Sequence, residues 1–120
     1  MHSELRVEAH TTDRLTTLTV TGELDLVSSP VLERELERAY GSDADLIALD
    51  LRGLEFMDST GVHLMVKAQQ RAAQAGRRLA LVKGGEQVQR VLDLTGVGDL
   101  VRIVASPEEL LDAGRASDST

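Results

Sequence analysis

Leu46-Ile47-Ala48-Leu49-Asp50-Leu51, then Arg52-Gly53-Leu54-Glu55-Phe56-Met57, then Asp58-Ser59-Thr60-Gly61-Val62 is the stretch on which the fold turns. Its first six residues form a short, nearly continuous apolar run, the pattern of a strand buried on both faces. Arg52–Met57 reads as the exit from that strand. After Gly61, residues Val62, Met65, Val66, Ala72 and Ala73 keep helical spacing up to a stop near Gly76. A buried strand feeding a helix is the unit of an α/β fold.

The same unit repeats on both sides. Toward the C-terminus, Leu79–Val82 is a second buried strand. Gly84-Gly85 precedes a helix carrying Val88, Val91, Leu92 and Thr95, with Gly96 as its stop. Val101–Val104 is a last strand, and Ser106-Pro107-Glu108-Glu109 is a capping box opening a short helix through Leu110 and Leu111. Toward the N-terminus, Ser28-Ser29-Pro30 opens a helix, with Ser29 as its cap and Pro30 in its first turn. Leu32, Leu36, Ala39 and Tyr40 share one face of it, and Gly41 ends it. Before it, Leu5–His10 alternates apolar and polar, Thr11–Arg14 is a turn, and Leu15–Thr21 is a β-branched strand broken by Gly22-Glu23-Leu24-Asp25. The expected architecture is a single α/β domain over residues 1–113. Its mixed, mostly parallel sheet has four to five strands with packed helices, and a small polar tail occupies 114–120.

Composition narrows the function. The chain has 120 residues, no cysteine, two aromatic residues and a net charge of −7. The absence of cysteine excludes disulfides, thiolate nucleophiles and Cys-ligated metals. The negative charge repels phosphate backbones, and Tyr40 and Phe56 are too few for a base-stacking platform, so no direct nucleic-acid partner is expected. No apolar run has the length of a membrane span, and no apolar signal region opens the sequence, so the cytoplasm is the expected location. His2, His10 and His63 are scattered without ligand spacing, so neither metal nor cofactor is expected. Gly84-Gly85 and Gly96-Val97-Gly98 lack the Lys-Ser/Thr of a phosphate loop and read as helix punctuation.

Charge is unevenly distributed. Residues 59–90 hold one acid, Glu86, against six bases, whereas both flanks are acidic. Such a segment is either a solvated face or an interaction surface beginning at Ser59. Asp58-Ser59-Thr60-Gly61 is the most informative motif. Asp58, Ser59 and Thr60 are good capping residues, and that alone explains their presence. A hydroxyl at an exposed helix N-terminus is also accessible to a kinase, and the helix dipole tolerates a phosphate there. Catalysis is disfavoured. The motif superficially resembles the Asp-Thr-Gly loop of aspartic proteases but has one residue too many in the wrong fold class. His63 lies one helical turn from Ser59, yet no Gly-x-Ser-x-Gly elbow surrounds the serine.

Thr21-Gly22-Glu23-Leu24-Asp25, the strand at Leu46–Leu51, and Phe56-Met57-Asp58-Ser59-Thr60-Gly61-Val62 together resemble the anti-sigma factor antagonist family, of the sulfate-transporter and anti-sigma-antagonist (STAS) class. Val88–Val97 is similar to that family's third helix. The likeness covers about residues 5 to 112. It implies a regulatory protein, not an enzyme. The unphosphorylated form binds an anti-sigma factor serine kinase and thereby releases the sigma factor. Phosphorylation at Ser59 ends the complex, and a serine phosphatase restores it. Asp25 matches the family's loop aspartate, and the expected partner-binding set is Asp25, Asp58, Ser59, Thr60, Gly61 and His63. Gly85-Glu86 departs from the Ser-Pro many members carry. Within the same fold, the alternatives are a soluble subunit of a lipid transporter or a part of a stress-signalling assembly.

Overall fold

The computed structural model describes residues 3–111. The tail at 114–120 and the expected domain limit at 113 lie outside them. The elements run β1 (Arg6–Thr12), β2 (Leu15–Leu24), α1 (Ser29–Tyr40), β3 (Leu46–Met57), α2 (Ser59–Gln74), β4 (Arg78–Val82), α3 (Glu86–Thr95), a 3-10 turn (Val97–Asp99) and β5 (Arg102–Val104). A final helix begins at residue 107. The five strands lie side by side in chain order, β1 antiparallel to β2 and the others parallel. The expected mixed, mostly parallel sheet is thus present.

Sequential order with right-handed crossovers puts every connecting helix on one face of a sheet. Accordingly Leu18, Val20, Ile47, Leu49, Leu79 and Leu81 meet Leu32 and Leu36 of α1, Met65 and Ala72 of α2, and Val88 and Leu92 of α3 in one core. The opposite face buries Leu46, Ala48, Ala80, Val82 and Val104 under Leu110 of the final helix. That helix starts as its capping box requires, with the Glu109 carboxylate accepting from the Ser106 N–H at 3.1 Å. The central strand is therefore buried on both faces, as its apolar run implies.

Five local readings change. Thr11 and Thr12 belong to β1, and the hairpin turn is only Asp13-Arg14, both at positive φ. Two such residues form the tight turn whose twist matches paired strands. Gly22 does not break β2. At φ +95° it forms an irregularity in the β2–β3 register and the strand continues to Leu24. A Cβ there would lie 2.1 Å from the Glu4 carbonyl oxygen, so a glycine is required. β3 likewise runs through Arg52 and Gly53 to Met57, because β2 keeps pairing beside it, out to Leu24 with Met57. In α1, Ser28 occupies the cap position, and Ser29 is buried in the first turn, its hydroxyl donating to the Leu26 carbonyl at 3.2 Å. In α2, Leu64 and Ala68 join the core, whereas Ala73 faces solvent.

Candidate functional site

The parallel pairing of β2 and β3 creates the site. Leu24 and Met57 are partners at the ends of these strands, so Asp25 and Asp58 leave the sheet side by side. The Asp58 N–H donates to the Leu24 carbonyl at 3.4 Å, tying the two exits together. Asp58 is the N-cap of α2, with extended backbone and its carboxylate accepting from the Thr60 N–H at 2.9 Å. A cap of this kind contributes about 1 kcal/mol to its helix.

Ser59 is the first residue of α2 and is exposed. Thr60 is half-buried. Gly61 is buried against the strand ends, where a Cβ would sit 2.3 Å from Met57 Cγ and 3.0 Å from Leu24 Cδ2. Glycine here lets the first turn of α2 settle directly on the sheet. His63 is exposed one turn beyond Ser59. No hydrogen bond joins the two among the described residues. This arrangement does not resemble an activated serine.

Asp25 organises its own loop. Its carboxylate accepts from the Ser28 N–H at 3.0 Å, while the Ser28 hydroxyl accepts from the Asp25 N–H at 3.0 Å and donates to the Glu23 carbonyl at 2.9 Å. This closed loop presents Leu26 and Val27 to solvent, 74% and 86% exposed. Phe56, the residue before Met57, is also exposed. Large apolar side chains left in water beside a polar motif suit an interaction surface. The structure thus brings Asp25, Asp58, Ser59, Thr60 and Gly61 together at one end of the sheet, with His63 on the adjoining helix turn.

Sequence reasoning missed Leu26, Val27 and Gln87. The first two lie between the Gly22–Asp25 segment and the Ser28-Ser29-Pro30 helix start, too short a stretch to carry a periodicity of its own. Gln87, in the first turn of α3, hydrogen-bonds the backbone of Met57. Its distance of thirty residues in the chain leaves no local signal. The basic segment divides. Arg71 pairs with Glu37, and Arg77 donates to the carbonyls of Tyr40 and Ser42, so these cations serve the fold. Lys67, Lys83 and Arg90 remain exposed.

Comparison with known proteins agrees with this architecture. The STAS domain family model matches residues 6–110, and the chain belongs to that family. It is 34% identical over 89 residues to the anti-sigma-B factor antagonist of Bacillus subtilis, covering 74% of this chain and 81% of that relative. Among solved structures, an anti-sigma factor antagonist from Mycobacterium paratuberculosis superposes with a TM-score of 0.85 at 21% identity, covering 93% of this chain and 95% of that one. The phosphorylated form of the Bacillus cell fate determinant SpoIIAA gives a TM-score of 0.66 at 24% identity, covering 91% and 97%. At these identities the two structures speak for the fold. Among the described residues, no helix is long and apolar enough to cross a membrane.

Proposed function

We propose that this protein is an anti-sigma factor antagonist controlled by phosphorylation of Ser59. The unphosphorylated form binds an anti-sigma factor that is also a serine kinase, and so frees the sigma factor. The kinase modifies Ser59 and a serine phosphatase reverses the change. One observation carries this reading: Ser59 is an exposed hydroxyl at a helix start, directly after the capping Asp58 and beside the Asp25 loop with its exposed Leu26 and Val27. Its likeness to the Bacillus subtilis antagonist supports the same role. Asp25, Asp58, Thr60, Gly61 and His63 form the surrounding contact surface.

The physics of the switch needs no refolding. A phosphate adds about −1.5 to −2 charges. At the first residue of α2 the helix dipole accommodates it. In an interface the same charge stands beside Asp58 and the Asp25 loop. An uncompensated buried charge costs several kcal/mol, or tens- to thousands-fold in affinity.

Affinity capture from the source cell with wild type, Ser59→Ala and Ser59→Asp tests the proposal. Ser59→Ala is expected to retain an ATP-binding kinase, and Ser59→Asp to retain less of it. Incubation of wild type with that kinase and ATP should place phosphate on Ser59. Thr60, half-buried, is the nearest rival acceptor. Phosphate found only on Ser117, Ser119 or Thr120, or equal affinity of all forms, overturns the proposal.

A further inference from the structure

β3 outlasts its neighbour. Its last pair with β4 is Asp50 with Val82, yet β3 continues to Met57. On the other side β2 stays paired to the end. Backbone groups of a covered strand need partners, and β4 no longer supplies them.

Gln87 takes that place at Met57. Its Oε1 accepts from the Met57 N–H at 3.0 Å, and its Nε2 donates to the Met57 carbonyl at 3.0 Å. The orientation of the amide is fixed by chemistry, since an N–H only donates and a carbonyl only accepts. One side chain thus supplies both the acceptor and the donor that an adjoining strand would present to Met57. Gly84 assists, because a Cβ there would lie 2.7 Å from the Leu51 carbonyl oxygen. Glycine lets the chain cross β3 closely enough to bring the start of α3 beside it.

Met57 immediately precedes the capping Asp58. The Asp58 N–H is held from the other side by Leu24. We infer that Gln87 is a positioning residue for Ser59: by clamping the peptide units on either side of Met57 it fixes the direction in which α2 starts and the Ser59 hydroxyl is presented. This rests on the reading of Ser59 as the phosphorylated residue. Positioning of a reacting hydroxyl acts on the rate of the bound complex more than on binding.

Three proteins test it: wild type, Gln87→Ala and Gln87→Glu. Amide hydrogen exchange at Met57 and Asp58 is measured by NMR, normalised to intrinsic rates. Initial rates of Ser59 phosphorylation are measured with the kinase captured by Ser59→Ala and ATP. In Gln87→Ala, exchange at Met57 is expected to rise about tenfold or more, as for loss of at least one net hydrogen bond. The kcat should fall several-fold while KM changes little. Gln87→Glu keeps the acceptor but turns a second oxygen toward the Met57 carbonyl. At neutral pH it should behave like Gln87→Ala. As pH falls through the ordinary carboxyl range, about 4.3, its protonated carboxyl regains a donor and protection at Met57 should return. Unchanged exchange at Met57 and Asp58 in Gln87→Ala overturns the inference, and so does altered exchange with unchanged kcat. If wild-type Ser59 itself takes no phosphate, the functional reading fails, and the clamp is then judged on exchange and its pH recovery alone.

Discussion

The two ends of the sheet are built on different principles. At the end where β3 begins, charge closes the structure. Arg14 grips Asp45 with two hydrogen bonds of 2.7 and 2.9 Å, and its carbonyl accepts from the N–H groups of Asp45 and Leu46. Hydrogen bonding by Arg14 holds the Asp45 carboxyl below its usual range. Arg71 pairs with both oxygens of Glu37 and lies over the Tyr40 ring at 5.2 Å. At the end where β3 stops, side chains close onto backbone instead: Asp25 onto Ser28, Asp58 onto Thr60, Gln87 onto Met57. There the exposed groups include the apolar side chains of Leu26, Val27 and Phe56 and the Ser59 hydroxyl. One end spends its charged groups on holding itself together. The other satisfies its backbone internally and leaves its surface available to a partner.

The largest effects should come from the second end. Phosphorylation of Ser59 should weaken partner binding by at least tens-fold, as for an uncompensated charge in an interface. Arg14→Ala at the opposite end should leave that affinity at the wild-type value in the same titration. Next comes Gly61→Ala. Its Cβ collides with Met57 and Leu24, so thermal unfolding should show a loss of about 1–3 kcal/mol, the usual cost of overpacking. Smaller is Asp25→Asn, which keeps an oxygen to accept from Ser28 and removes the charge. It should slow Ser59 phosphorylation with little change in melting temperature. If only the melting temperature falls, Asp25 serves its loop alone.

The smallest effect belongs to the first end. Burial pushes the Tyr40 phenol up to about 12, with Arg71 pulling the other way. The raised value means that the neutral phenol favours the folded state. Its contribution is present below the ordinary value of about 10 and disappears as pH rises through about 12. Tyr40 is the only tyrosine, so phenolate absorbance reports it directly. Tyr40→Phe should remove this alkaline loss and leave partner binding at neutral pH unchanged.

The sequence made the order of strands and helices legible, because each buried strand and amphipathic helix carries its own period. Element ends were legible only where capping chemistry marks them, as at Asp58 and Gly96. Gly22 and Gly53 look like breakers because glycine weakens a strand by itself. In the folded chain, β2 and β3 continue through both positions by pairing with each other, which no local pattern encodes. At the site, the Asp58–Gly61 motif was readable because it is contiguous. The Leu24–Met57 pairing that brings Asp25 to it, and the clamp from Gln87, depend on partners distant in the chain.

Because the strands lie in chain order, each one after β1 meets a neighbour that was synthesised before it. Nascent chains emerge N-terminus first, and pairing with the preceding strand keeps the loops to be closed short. β2, β3 and the start of α2 already contain the junction of the Asp25 loop with Ser59. Gln87 arrives later, on α3. The surface is therefore drawn early in the life of the chain and fastened late, when the third helix docks and its amide closes over Met57.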